Sequence, residues 1–166
     1  KKAQELNLKV LEIRKKLFGE EHPDTLFSMS NQAFLYLHGK EYKKAQELNL
    51  KVLEIRKKLL GEEHPDTLLT MNNLGSNHAE LGEYQKAQEV FKEIIRINQK
   101  LHGNEHYSTL LSMNSLGYLY STIKEYEKAQ EVYSKALLYS KHLKNNDFPK
   151  NHILKNIKQN QKNLTK

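Results

Sequence analysis

The chain has 166 residues, 37% apolar and 28% charged, with a net charge of +7, three Pro, seven Gly and no Cys. That balance suits a soluble helical chain and excludes disulfide and thiolate chemistry. No apolar run reaches the roughly 18 residues that a membrane span needs, residues 1–25 carry scattered charge where a signal peptide would not, and the lack of Cys fits a reducing, cytoplasmic setting.

In chain order, the string KKAQELNLKVLEIRKKL fills residues 1–17 and returns unchanged at 43–59. Looser copies follow at 85–101 (QKAQEVFKEIIRINQKL) and 127–143 (EKAQEVYSKALLYSKHL). A fixed period of 42 residues implies stacked supersecondary units. Blocks at 1–42, 43–84, 85–126 and 127–148 form the expected array over 1–148, and a basic capping helix is expected over 149–166. The first block lacks a shorter helix before Lys1, and there is no initiator Met, so the chain reads as a piece of a longer array.

Each block reads as a helix pair. Ala45, Leu48, Val52, Ile55 and Leu59 form one apolar stripe of a longer helix. Leu50, Leu53 and Leu60 lie off it, which predicts cover from two sides. Gly61 ends that helix, as Gly19 and Gly103 do in their copies. His64-Pro65-Asp66-Thr67 then opens a shorter helix from near residue 66 to about 81, with Asp and Thr as the expected caps. Its copies fall at 24–39 and 107–124. Ala33, Gly75 and Gly117 on the shorter helices, and Ala3, Ala45, Ala87 and Ala129 on the longer ones, mark close helix crossings. The last segment sets Phe148, Ile153, Leu154, Ile157 and Leu164 among Lys and Asn. Residues 141–166 hold seven Lys and one Asp, so most of the charge excess sits there.

The pattern resembles the tetratricopeptide repeat. The residues that carry the likeness are Leu74-Gly75 with Ala87, Leu116-Gly117 with Tyr120 and Ala129, and Tyr42, Tyr84 and Tyr126 three residues before their Ala. The usual repeat has about 34 residues. The longer period here, with Gly19-Glu20-Glu21-His22-Pro23-Asp24-Thr25 and the same loop at Gly61 to Thr67, is similar to the kinesin light chain subtype. The third copy, Gly103 to Thr109, keeps Gly, His and Thr but loses Pro and Asp, and Asn72-Asn73 also fits the subtype. The resemblance implies a right-handed α-solenoid of stacked helix–turn–helix repeats, all-α in class, with the shorter helices lining a concave groove.

Copies one and two agree at 25 of their first 26 positions and at four of the remaining 16. The differences gather on the shorter helix. A variable groove wall explains this, and so does a duplication tract ending near residue 26. The groove positions that the resemblance implies are Phe27, Ser30, Phe34, Leu37 and His38, then Leu69, Asn72, Ser76, Ala79 and Glu80, then Leu111, Asn114, Tyr118, Ser121 and Thr122. Asn offers donor and acceptor together, so Asn31, Asn72, Asn73 and Asn114 are candidates to clamp a peptide backbone. Phe27, Phe34 and Tyr118 are candidate apolar anchors; the alternative for Phe34 and Tyr118 is packing between helices. The basic side chains that would clamp a peptide carboxy terminus are missing from these positions.

His22, His64 and His106 recur at one loop position, too far apart to share an ion, and read as loop-packing or capping residues. His102 and His106 have no completing ligand set. No His-Glu-x-x-His, Gly-x-Ser-x-Gly or phosphate-binding loop occurs. The expectation is a non-enzymatic scaffold without metal or cofactor that holds a peptide or protein segment. Two alternatives are polyanion or nucleic-acid binding through the Lys-rich end, and end-to-end self-association through the first helix.

Overall fold

The computed structural model describes residues 2–144, 147 and 149–165. Phe148, read above as part of the apolar side of the last segment, lies outside the described residues. Among those described there are eight helices: α1 (Lys2–Phe18), α2 (Pro23–His38), α3 (Tyr42–Leu60), α4 (Pro65–Glu80), α5 (Tyr84–His102), α6 (Tyr107–Thr122), α7 (Tyr126–Tyr139) and α8 (Lys150–Leu164). They form two compact units, Lys1–Glu83 and Tyr84–Lys166. In the first, α1 packs on α2, α2 on α3 and α3 on α4, and the shorter helices α2 and α4 also touch. In the second, α5 packs on α6, α6 on α7 and α7 on α8, with α6 touching α8.

The helix starts are set by histidine. Nδ1 of His22, His64 and His106 accepts from the backbone N–H of Asp24 (3.2 Å), Asp66 (3.1 Å) and Ser108 (3.3 Å). From sequence, Asp and Thr are candidates for this role, and the loop His reads as packing or capping. Proline at the first helical position has no N–H, so the first donor needing a partner belongs to the residue after it, and the preceding His reaches it. The Thr67 and Thr109 hydroxyls turn back instead, donating to the carbonyls of Gly61 (2.8 Å) and Gly103 (2.7 Å). Those glycines end the longer helices at φ 88° and 86°, a region that side chains disfavour.

Leu11, Leu26, Met29 and Val52 form the core of the first unit, with Leu48 and Ile55 packed against it. The expected stripe is covered from Ala45 to Ile55, but Leu59 in the last turn of α3 stays exposed. Leu50 and Leu60, expected to be covered from a second side, are also exposed, and Leu53 is half-buried.

Polar clasps join the helices of each pair. Nη1 of Arg14 donates to the Asp24 carbonyl (3.0 Å) and Ser28 Oγ (2.7 Å). Arg56 repeats this with the Asp66 carbonyl (3.1 Å) and Thr70 Oγ1 (2.6 Å). Burial lowers the Arg56 pKa, opposed in part by Asp66. In the second unit Asn98 stands at the same register and its Nδ2 donates to Ser112 Oγ (3.1 Å). A second clasp is built by Asn77, whose Nδ2 donates to the Tyr42 carbonyl (3.0 Å), and by Asn160, which donates to the Tyr126 carbonyl (2.9 Å). Tyr42 and Tyr126 lie two periods apart and Asn77 and Asn160 one residue less. So α8 occupies the place of a shorter helix with its register moved by one residue. It buries Ile153, Ile157 and Asn160.

Gly117 shows why one crossing needs its small residue. A Cβ there would clash with the ring of the buried Tyr133. Burial pushes the Tyr133 hydroxyl up to about 12, although a hydrogen bond with Ser121 pulls the other way. Ser121 Oγ in turn donates to Asn160 Oδ1 (3.0 Å), tying α6 to α8.

Candidate peptide-binding face

Phe27, Asn31, Phe34 and His38 are spaced four, three and four residues apart, which sets them along one side of α2. Phe27 is 58% exposed and Phe34 56%. Asn31 and His38 are exposed too, and the His38 ring meets the Phe34 ring edge-on at 4.2 Å between centroids. Phe27 and Phe34 thus put two exposed rings on one side of α2. The alternative for Phe34, packing between helices, does not describe it.

On α4, Leu69 is 56% exposed, Asn72, Asn73 and Ser76 are half-buried, and Glu80 is exposed. Glu80 holds the Tyr42 hydroxyl by a hydrogen bond, which raises the Tyr42 pKa. Ser30 Oγ donates to the Leu26 carbonyl (3.0 Å) and Ser76 Oγ to the Asn72 carbonyl (3.1 Å). Their protons are spent within the helix, so both hydroxyls offer only acceptor lone pairs outward. The side-chain amides of Asn31, Asn72 and Asn73 make no hydrogen bond to any other described residue. Leu37 and Ala79, at the far ends of these helices, are half-buried.

The second unit differs. Tyr118 is 64% exposed, against the alternative of interhelical packing, and Thr122 is exposed with its Oγ1 donating to the Tyr118 carbonyl (2.9 Å). Leu111 and Ser121 are half-buried. Asn114, ranked with the other amides from sequence, accepts at Oδ1 from Asn156 Nδ2 of α8 (2.9 Å). Its acceptor is therefore engaged, while the amides of α2 and α4 are not. Asn156 lies 42 residues after Asn114, but that spacing does not by itself show that the two side chains meet. Asn77 and Asn160 were missed for another reason: a buried amide among apolar residues looks like any other Asn until its carbonyl partner is placed. Arg14 and Arg56 were missed as well, since each opens an Arg-Lys-Lys run that reads as the solvated, basic end of a helix.

Among the described residues no group of three or more His, Cys, Asp or Glu gathers to hold a metal. None of their helices is long and apolar enough to cross a membrane.

The tetratricopeptide repeat family profile matches residues 1–58, 28–100 and 76–137. This chain belongs to the tetratricopeptide repeat family. A putative kinesin light chain of Podosopora anserina, built of nearly identical TPR-like repeats, superposes with a TM-score of 0.80 at 25% identity, covering 99% of this chain and 78% of that one. BtubC (BKLC) of P. vanneervenii gives 0.79 at 23% identity over 99% of this chain and 66% of that one. The Sgt2 TPR domain of Aspergillus fumigatus gives 0.58 at 15% identity, covering 87% and 81%. A comparison with curated proteins gave no match. The fold is thus an all-α solenoid of helix–turn–helix repeats, and its tetratricopeptide repeats are similar to those of kinesin light chain-like proteins. Tetratricopeptide repeats mediate protein–protein interaction, and no catalytic family is indicated.

Proposed function

We propose that this array is a non-enzymatic scaffold that holds a peptide or protein segment against α2 and α4, in a reducing, cytoplasmic setting. One observation carries the reading: the unpartnered amides of Asn31, Asn72 and Asn73 lie on the same two helices as the exposed Phe27, Phe34 and Leu69. Amides supply backbone recognition and the aromatic rings supply apolar area. Residues 1–148 act as the array in this reading, and α8 as its polar end cap. Asn72→Ala with Asn73→Ala is expected to weaken a captured partner about tenfold or more, from two hydrogen bonds worth about 1 kcal/mol each. Helicity and melting stay near wild type. Titration of the purified partner into both proteins checks this, and equal affinities would remove the face from consideration.

A second reading is favoured by α8, which exposes Lys155, Lys158 and Lys162 at the spacing of one helical side. Such a stripe suits a polyanion, and its binding would fall steeply with salt.

A further inference from the structure

We infer that the segment held by α2 and α4 is uncharged, extended, and carries two apolar side chains about 10 Å apart; this rests on the peptide-binding reading above. The first argument is charge. The longer helix α3 carries eight charged side chains in 19 residues, whereas α2 carries Asp24 in 16 residues and α4 carries Asp66 and Glu80 in 16. Those few sit at the helix ends. His78 is buried against Gln46 and Glu83, away from the exposed positions. Between the ends, the exposed and half-buried side chains of α2 and α4, Phe27, Asn31, Phe34, Leu69, Asn72 and Asn73 among them, carry no charge. A Lys or Asp of the ligand laid between Phe27 and Phe34 would lose hydration and meet no counter-charge from this stretch of α2 or α4, since Glu80 and His38 stand at the helix ends.

The second argument is spacing. Phe27 and Phe34 are seven residues apart, about 10 Å along a helix that rises about 1.5 Å per residue. A β-strand ligand repeats a face at about 6.7 or about 13 Å and matches poorly. A helical ligand matches, but its backbone groups are already bonded to one another and would leave the free amides without a partner. A polyproline-II segment repeats a face every three residues, about 9 Å, and leaves its N–H and C=O groups open. The Asn amides can then pair with both, and the lone pairs of Ser30 and Ser76 accept from its N–H groups.

The test uses the full chain and synthetic ten-residue peptides, acetylated and amidated, made of Pro, Gln and Asn with two Leu. One places the Leu residues three apart, one two apart, and two keep the three-residue spacing but set Asp or Lys between them. Fluorescence anisotropy is read at about 50 and about 500 mM NaCl against wild type, Phe27→Ala with Phe34→Ala, and Asn72→Ala with Asn73→Ala. The uncharged three-apart peptide is expected to bind with an affinity that changes less than about twofold with salt. Both double variants lose it, and the Asp and Lys versions bind about tenfold or more weakly. Tighter binding of a charged version that falls with salt yet still needs Phe27 and Phe34 would overturn this inference and leave the proposed face standing. Equal binding of the two-apart peptide would overturn the polyproline-II spacing alone. Binding indifferent to Phe27, Phe34, Asn72 and Asn73, or no binding at all, would remove both.

Discussion

At the scale of single residues, the repeat exposes its own packing rules. Ala33, Gly75 and Gly117 fill one register position, and Asn49 and Tyr133 fill another on the longer helices. Gly117 faces a Tyr ring that leaves no room for a methyl group; the first copy, with Ala33, has Asn49 where the later copy has Tyr133. The small residue was legible from sequence as a crossing mark, but which ring demanded it was not. Gly117→Ala is expected to cost about 1–3 kcal/mol by overpacking. The cost should shrink in a Tyr133→Asn background, which restores the first copy's pairing. Urea denaturation of the four proteins of that cycle reads the coupling directly.

At the scale of helices, caps and charge bridges decide the ends. His64→Ala is expected to lose about 1 kcal/mol, while His64→Asp, which keeps an acceptor beside the helix start, stays close to wild type. Chemical denaturation distinguishes the two. Glu20, in the loop after α1, pairs with Lys15 (2.8 Å) and with Lys51 of α3 (2.7 Å). The hydrogen bonds from Lys15 and then Lys51 hold its carboxyl at about 2, against an ordinary 4.5. The folded-state value is depressed, so the contribution is complete above about 4.5 and fades as pH falls toward about 2. Glu20→Gln should therefore flatten the acid limb of the stability curve in that window, and added salt should reduce the difference because the pair is solvent-exposed. Carboxyl NMR titration of Glu20 checks the value. The letter-identical strings of α1 and α3 make a further point. Ala45 and Val52 are fully buried, whereas Ala3 is exposed and Val10 half-buried. The difference lies in the neighbours, since α3 packs against both α2 and α4 and α1 against α2.

At the scale of the whole molecule, charge is sorted by helix type. The longer helices are charged, the shorter ones nearly free of charge, and the terminal α8 carries Lys without a single acidic residue. Truncation after residue 143 would separate α8 from the proposed face. It would also strip Ile153 and Ile157 from the second unit, where both are buried. Lys155→Glu, Lys158→Glu and Lys162→Glu together change charge without touching that packing. This variant is expected to melt like wild type and to bind the captured partner within about twofold, as an interaction made elsewhere requires. A large loss of affinity would favour the polyanion reading. The period, the helix pairs, the glycine stops and the positions of the small residues were all determined by sequence alone, because each depends on local spacing and backbone preference. Tertiary structure decided which amides remain unpartnered, that α8 packs on α7 one residue out of register, and that Asn156 engages Asn114. Those outcomes depend on which atoms meet across helices, and no single string of letters encodes its neighbours.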